Sequence, residues 1–340
     1  MTSVTANRRL LLTARPTGMV EASNFELSED SAESPPDGQA LVRVLFLSLD
    51  PAMRGWMSDA PSYVPPVGIG EVMRALGAGV VVASNTPAVA EGDHVVGIFG
   101  VQEYATLPGE ALTKVDPDVA PLPVYLGALG MPGLTAYFGL LDIGAMNEGD
   151  TVVVSGAAGA VGSVAGQIAK IKGAARAVGI AGGPEKCAWL VDELGYDAAI
   201  DYKSEDVGKA LREHCPDGIN VYFDNVGGEI LDAALARLAH GARVVICGAI
   251  SQYNAEDGMR GPKNYMMLLV RRARMQGFLV FDFAGRYGEA LREMATWRNE
   301  GRLKTREKVV EGGVDAFVDT LNQLFRGENT GKLVLQIADS

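Results

Sequence analysis

A chain of 340 residues is longer than one ordinary hydrophobic core supports, so two domains are expected. Hydrophobic residues at 48% and charged ones at 21% describe a globular protein rather than a disordered one. The net charge of −12 argues against nucleic acid or an anionic membrane as partner.

Residues 1–125 carry no helical periodicity. Apolar runs at 40–47, 79–83 and 94–99 are separated by turn signals such as Pro35-Pro36-Asp37-Gly38 and Ala90-Glu91-Gly92-Asp93. This predicts a β-rich domain, a barrel or compact sheet. Leu10-Leu11-Leu12 after Arg8-Arg9 is too short for the core of a signal peptide, and Arg15 follows at once. Residues 119–141 hold no charge and are long enough to cross a bilayer. Pro121, Pro123, Pro132 and the glycines 127, 130, 133 and 139 break that stretch, so buried helices at the junction of the domains are expected, with a membrane span as the minor reading.

From residue 151 strands and helices alternate. The pattern predicts strands at 151–155, 176–181, 198–202, 219–224, 242–248 and 275–281, and helices at 160–172, 184–194, 204–214, 229–239 and 264–273. Such alternation implies α/β architecture, a doubly wound parallel sheet of the Rossmann kind. A helix at 285–300, strands near 308–310 and 332–337 and a helix at 314–326 follow. The expected domains are 1–125, 126–300 and a final segment, 301–340, that returns to the first.

The chemistry centres on Val152-Val153-Val154-Ser155-Gly156-Ala157-Ala158-Gly159-Ala160-Val161-Gly162-Ser163. An apolar β-branched run stops at glycines spaced G-x-x-G-x-x-G, and a helical pattern follows. Strand, tight turn and helix are what a dinucleotide pyrophosphate needs: bare N–H groups, a favourable helix dipole and no Cβ in the way. Alone, the triplet is weak in a chain with 42 glycines; its flanks strengthen it. The second strand ends in Gly182-Gly183 rather than in the acidic residue that NAD sites use. Small residues there, with Lys186 close by, fit the extra phosphate of NADP. Lys186 also reads as a solvated helix residue. Tyr202 reads either as a further phosphate contact or as a packing aromatic. Asp224-Asn225-Val226-Gly227-Gly228 and Cys247-Gly248-Ala249-Ile250-Ser251 end the next two strands, at the edge where ligands of open α/β sheets lie.

No metal site is expected. The histidines 94, 214 and 240 are isolated, and the three cysteines, Cys187, Cys215 and Cys247, are scattered. Their spacing suits a reducing, cytoplasmic setting without disulfides. Cys247 reads as a buried small hydrophobe. Tyr253 and Tyr63 are the remaining candidates for proton work, each with the alternative of a half-buried aromatic making one structural hydrogen bond. Arg271, Arg272 and Arg274 read as a solvated face, a dimer seam or a phosphate contact.

These motifs, with Ser48-Leu49-Asp50-Pro51-Ala52-Met53-Arg54, Tyr63-Val64-Pro65-Pro66, Gly130-Met131-Pro132-Gly133-Leu134-Thr135-Ala136-Tyr137, Arg274-Met275-Gln276-Gly277-Phe278 and Gly327-Glu328-Asn329-Thr330-Gly331-Lys332, run from end to end of the chain. The chain resembles the zinc-independent branch of the medium-chain dehydrogenase/reductases. More narrowly it resembles the leukotriene dehydrogenase/prostaglandin reductase family, with its plant double-bond and bacterial curcumin reductases. The resemblance implies a GroES-like β domain joined to a Rossmann domain, a homodimer, and NADPH-dependent reduction of the C=C bond of α,β-unsaturated aldehydes or ketones. Gly159, Ala160, Val161, Gly162 and Ser163 would hold the pyrophosphate; Lys186 and Tyr202 would meet the 2′-phosphate. Asn225, Cys247, Gly248, Ala249, Ile250, Ser251, Tyr253, Phe278, Leu279, Val280 and Asn329 would line the rest of the cofactor site. Tyr253 would supply a proton and Tyr63 would close over the substrate. The family often has Asn where this chain has Asp201, a departure that weakens NADP preference if the carboxylate points inward. Quinone reduction, alcohol/ketone interconversion and non-catalytic NADPH binding are the rival readings.

Overall fold

The computed structural model describes residues 5–339. In chain order the first strands are β1 (Thr5–Leu12), β2 (Phe25–Ala32) and β3 (Gln39–Ser48), followed by the single-turn helix α1 (Ala52–Trp56). Then come β4 (Leu76–Ser84), β5 (His94–Ile98), β6 (Tyr104–Pro108) and β7 (Thr113–Lys114). The middle of the chain alternates: α2 (Met131–Phe138), β8 (Thr151–Ser155), α3 (Gly162–Ile171), β9 (Arg176–Ala181), α4 (Pro184–Asp192), β10 (Ala198–Asp201), α5 (Val207–His214), β11 (Ile219–Asp224), α6 (Gly228–Leu235), β12 (Leu238–Ile246), α7 (Met267–Arg271), β13 (Arg274–Gly277) and α8 (Tyr287–Asn299). The chain closes with β14 (Glu307–Val310), α9 (Phe317–Arg326) and β15 (Lys332–Gln336). Two compact units result, one holding the described residues up to Leu126 together with those from Glu307 onward, the other Gly127–Arg306.

The first unit is built on β3. Shifts of register between Leu41 and Val42 and between Val44 and Phe46 bend this strand. One edge pairs with β4 throughout; the other pairs with β6 along residues 39–43 and with β15 along residues 46–48. The C-terminal strand therefore joins the sheet of β3, in the order β14-β15-β3-β4-β5-β7 with β6 on β3, while β1 and β2 pair with each other in a separate two-stranded sheet. Leu45, Ala78, Leu122, Leu126 and Val334 close its core from both ends of the sequence. Helix α1 was not expected; five residues are too few to show a periodicity.

The second unit carries a six-stranded parallel sheet in the order β10-β9-β8-β11-β12-β13. The chain runs outward from β8 to β10, then returns to the other side of β8 at β11. The switch between β8 and β11 opens a crevice at the carboxyl ends of the strands. Val153, Val178, Ile200, Tyr222 and Val244 bury one sheet face against Leu211 of α5 and Leu235 of α6.

Several predicted boundaries shift, among them the end of the helix expected at 229–239, which stops at Leu235, and four have a clear local reason. β12 begins at Leu238 instead of 242, because a register slip after the Ile219–Leu238 pair takes up His240 and Gly241, the latter at φ +71°. β13 ends at Gly277 instead of 281: its last partner is Ile246, where β12 also ends. Helix α7 stops at Arg271 because Arg272 adopts a left-handed conformation, φ +50°. Helix α5 starts at Val207, after Asp206 accepts a hydrogen bond from the Lys209 N–H. In the uncharged stretch 119–141, α2 spans only eight residues, and among the described residues no helix is long and apolar enough to cross a membrane.

Candidate active site

The glycine turn leaves β8 at Ser155 and enters α3 at Gly162, so Gly159, Ala160 and Val161 form the turn rather than the first turn of the helix. Gly156 sits at φ +58°, and its carbonyl accepts the Gly159 N–H at 2.9 Å. A Cβ on Gly162 would stand 2.4 Å from Gly156 O and 2.7 Å from Ala157 Cα, which is why glycine is required there. Behind the turn the buried Tyr196 donates its hydroxyl hydrogen to Gly162 O at 2.7 Å, over a glycine at 166 that leaves room for its ring. Burial pushes that phenol far above its usual range. Among the described residues neither the Ala160 nor the Val161 N–H finds an acceptor within the chain. Two open amides at the start of a ten-residue helix are the arrangement that can hold an anion.

At the next two strand ends, Gly182 and Gly183 lie beside Tyr202; a Cβ on Gly182 would meet the Tyr202 ring at 2.8 Å. Gly183 has φ +98° and Pro184 opens α4, so Lys186 stands in the first turn of that helix. Asp201 is buried, and its carboxylate turns onto the neighbouring strand tip and its own loop. Its Oδ1 accepts the Gly183 N–H at 2.7 Å and the Lys203 N–H at 3.0 Å, and its Oδ2 accepts the Ser204 hydroxyl at 2.9 Å. These bonds, the Gly183 amide foremost, hold the carboxyl below its usual range.

Under the crevice lies a network that sequence reasoning missed. Asp224, fully buried, accepts the Ser155 hydroxyl at 2.8 Å, the Tyr222 hydroxyl at 3.0 Å, and the Val226 and Gly227 N–H groups. Asn225 donates its amide side chain to Ser155 O at 2.7 Å and its backbone N–H to Ser155 Oγ at 2.8 Å. The Asp224 carbonyl takes the Cys247 and Gly248 N–H groups. One residue thus ties together the ends of β8, β11 and β12. Burial pushes its carboxyl up, against the hydrogen bonds that pull it down.

On β12's exit, Tyr253 folds back on its own loop. Its hydroxyl oxygen accepts the Ala249 N–H at 3.0 Å and lies 2.9 Å from where a Cβ on Gly248 would stand. Ile250 and Ser251 donate their N–H groups to Asn225 O and Val226 O, so the two tips are one surface. Cys247 lies on it as a partly buried thiol pushed up to about 12 by desolvation, unsuited to nucleophilic work.

Phe278 leaves β13 one residue after Gly277, the partner of Ile246, and so at the level of Cys247. Leu279 caps and Val280 begins a short helical turn there. Tyr63, 51% exposed, and Asn329, whose side chain donates to Gly331 O, lie in the first unit. The arginine cluster splits: Arg272 meets His240 Nε2 at 2.7 Å and Arg274 donates to Ile143 O at 2.7 Å.

Residues 8–115 match the N-terminal domain of oxidoreductase family, and residues 160–296 the zinc-binding dehydrogenase family. Over 337 residues the chain is 44% identical to the NADPH-dependent curcumin reductase of Escherichia coli (strain K12), covering 98% of this chain and 97% of that one. It is 38% identical over 344 residues to the 2-alkenal reductase (NADP(+)-dependent) of Nicotiana tabacum, with 99% of each chain covered. The chain belongs to the NADP-dependent curcumin and prostaglandin reductase family. Among solved structures, CurA from Vibrio vulnificus in complex with NADPH matches with a TM-score of 0.92 and 45% identity, over 98% of this chain and 100% of that one.

As a member of this family the protein is an NADP-dependent oxidoreductase. Its residues fit that cofactor: open amides at the glycine turn, a Cβ-free tip at Gly182–Gly183, and Lys186 and Tyr202 beside it. They do not fit a zinc ion, in spite of the second family's description. Cys187 lies in α4, Cys215 just after α5 and Cys247 just after β12, and among the described residues no three His, Cys, Asp or Glu side chains cluster as ligands.

Proposed function

We propose that this protein reduces the C=C bond of α,β-unsaturated aldehydes and ketones without a metal. The observation that carries the reading is the Tyr253 hydroxyl, fixed on the Cys247–Ala249 tip beside the switch-point crevice, in a chain whose relatives are named for curcumin and 2-alkenals. Bound NADPH supplies the hydride that reaches the β-carbon. The Gly159–Ser163 turn holds the pyrophosphate by its open amides, and Lys186 and Tyr202 meet the 2′-phosphate. Asn225, residues 247–251 and Phe278–Val280 line the remainder. As the C=C electrons move toward the carbonyl, its oxygen gains negative charge and needs a donor; Tyr253 O–H donates there. A proton from Tyr253 or solvent then reaches the α-carbon and completes the saturated product. Tyr63, toward substrate, and Asn329, toward cofactor, enter the proposal through the family resemblance alone.

The proposed assembly is a homodimer. β13 is an open sheet edge, every residue of it exposed, and Met275 on it, Leu269 (71%) and Val270 (62%) on the adjoining α7, and Met266 just before α7 are exposed. An exposed apolar edge of this kind is a pairing surface. Three unpaired thiols suit the cytoplasm as its place of work. The test of function compares NADPH oxidation with an enone, a quinone and a saturated ketone. The proposal expects turnover of the enone; turnover of the quinone or the ketone alone would replace it with a rival reading.

A further inference from the structure

We infer that Asp201 is a positioning residue that sets the preference for NADP over NAD, by cross-linking the two strand tips that carry the 2′-phosphate ligands. The inference rests on the cofactor reading above and extends it to a residue that bonds both phosphate-bearing tips.

The acidic residue at a strand tip in NAD enzymes serves the ribose 2′-OH. Asp201 stands one strand further out and serves the protein instead. Its Oδ1 is taken by Gly183 N–H and Lys203 N–H, its Oδ2 by Ser204 Oγ–H. Its own N–H donates to Glu205 Oε1 at 2.8 Å. Its charge is met chiefly by these amides and the hydroxyl, with the Lys203 charge close by. The Gly183 bond fixes the entry to α4, which bears Lys186 two residues beyond Pro184. The Lys203 bond fixes the residue after Tyr202, whose ring rests on Gly182. One carboxylate thus sets the spacing of the lysine and the tyrosine. A carboxylate bonded in this way holds the cradle together; it does not occupy it.

The two effects of Asp201, shape and charge, separate in two variants. Asp201→Asn keeps an oxygen for Gly183 and Lys203, and its NH2 group suits Ser204 Oγ as acceptor; it removes only the charge. Asp201→Ala removes the link as well. Calorimetric titration of the wild type and both variants with 2′,5′-ADP and with 5′-AMP reads the phosphate term without catalysis, and a thermal melt checks folding. The expected result is that Asp201→Ala binds 2′,5′-ADP about tenfold more weakly, the loss of a link of charge-assisted hydrogen bonds. Asp201→Asn stays near the wild type, and 5′-AMP is unchanged in all three. Ser204→Ala, which removes one donor of the three, falls between. Asp201→Ala equal to wild type overturns the inference, as does an equal loss for both nucleotides. So does tighter 2′,5′-ADP binding by both variants, which would make the carboxylate a repelling charge. A wild type that does not distinguish the two nucleotides overturns the cofactor reading itself; a wild type that does, with variants like it, overturns only the role of Asp201.

Discussion

Replacing Gly162 by Ala sets two physical arguments against each other. Gly162 is the first residue of α3, and helix propensity alone favours Ala there by about 1 kcal/mol. The packing says the reverse. The new Cβ would lie 2.4 Å from Gly156 O, 2.7 Å from Ala157 Cα and 2.9 Å from Gly156 C, where ordinary contact begins at 3.4 Å. All three are backbone atoms and cannot swing aside. The helix start must move away from the turn by about 1 Å, straining the Ser163–Gly159 bond of 3.0 Å and the Tyr196–Gly162 bond of 2.7 Å. Overpacking of this kind costs about 1–3 kcal/mol. Were it borne by the cofactor turn alone, NADPH affinity would fall roughly 5- to 150-fold. Calorimetric titration with NADPH beside a thermal melt divides the cost between binding and folding. Gly159→Ala is the control: its Cβ meets only Gly156 O, at 3.2 Å, and a shift of a few tenths of an ångström relieves it. A Gly162→Ala protein that binds NADPH and melts like the wild type would refute the argument.

Other outcomes follow from single contacts. Tyr253→Phe removes the hydroxyl held by Ala249 and should lower kcat about 10²-fold or more with the Kd for NADPH nearly unchanged; steady-state rates and a fluorescence titration measure both. Lys332→Met leaves Leu49 O and Asp50 without the amine that reaches them at 2.8 and 2.7 Å from a side chain only 2% exposed, and should cost about 2–4 kcal/mol in chemical denaturation, less than a fully buried pair because Asp50 is partly solvated. Asp201, whose carboxyl is held down chiefly by the Gly183 N–H, stabilises the fold above the usual carboxylate pKa near 4, and that contribution is lost as pH falls through its lower folded value. Thermal melts between about pH 2 and 5 should therefore show a flatter acid limb in Asp201→Ala. Leu269→Glu, on the exposed apolar edge, should turn a dimer into monomer in light scattering; a monomeric wild type would contradict the proposed assembly.

Much of the second unit was legible because its signals are local. Val152-Val153-Val154 and the glycine spacing announce a strand and a turn within a dozen residues, and Gly182-Gly183 with Lys186 lies on one tip. What escaped was set by contacts across the sequence. Ser155 and Asp224 are 69 residues apart, and no periodicity joins a serine at one strand end to a carboxylate at another. Tyr196 and Gly166 fit each other only because α3 packs over the loop after α4. The end of β13 is fixed by where its neighbour β12 stops, not by its own apolar run. The direction of the Asp201 side chain, on which its effect depends, is set by Gly183, a residue of the preceding strand tip.

The central claim is best tested by the position of a label. Incubation with NADPH deuterated at the transferred position and a simple α,β-unsaturated ketone, followed by NMR of the product, should give the saturated ketone with deuterium on the β-carbon. Deuterium on the former carbonyl carbon of an allylic alcohol, or no product at all, would contradict it.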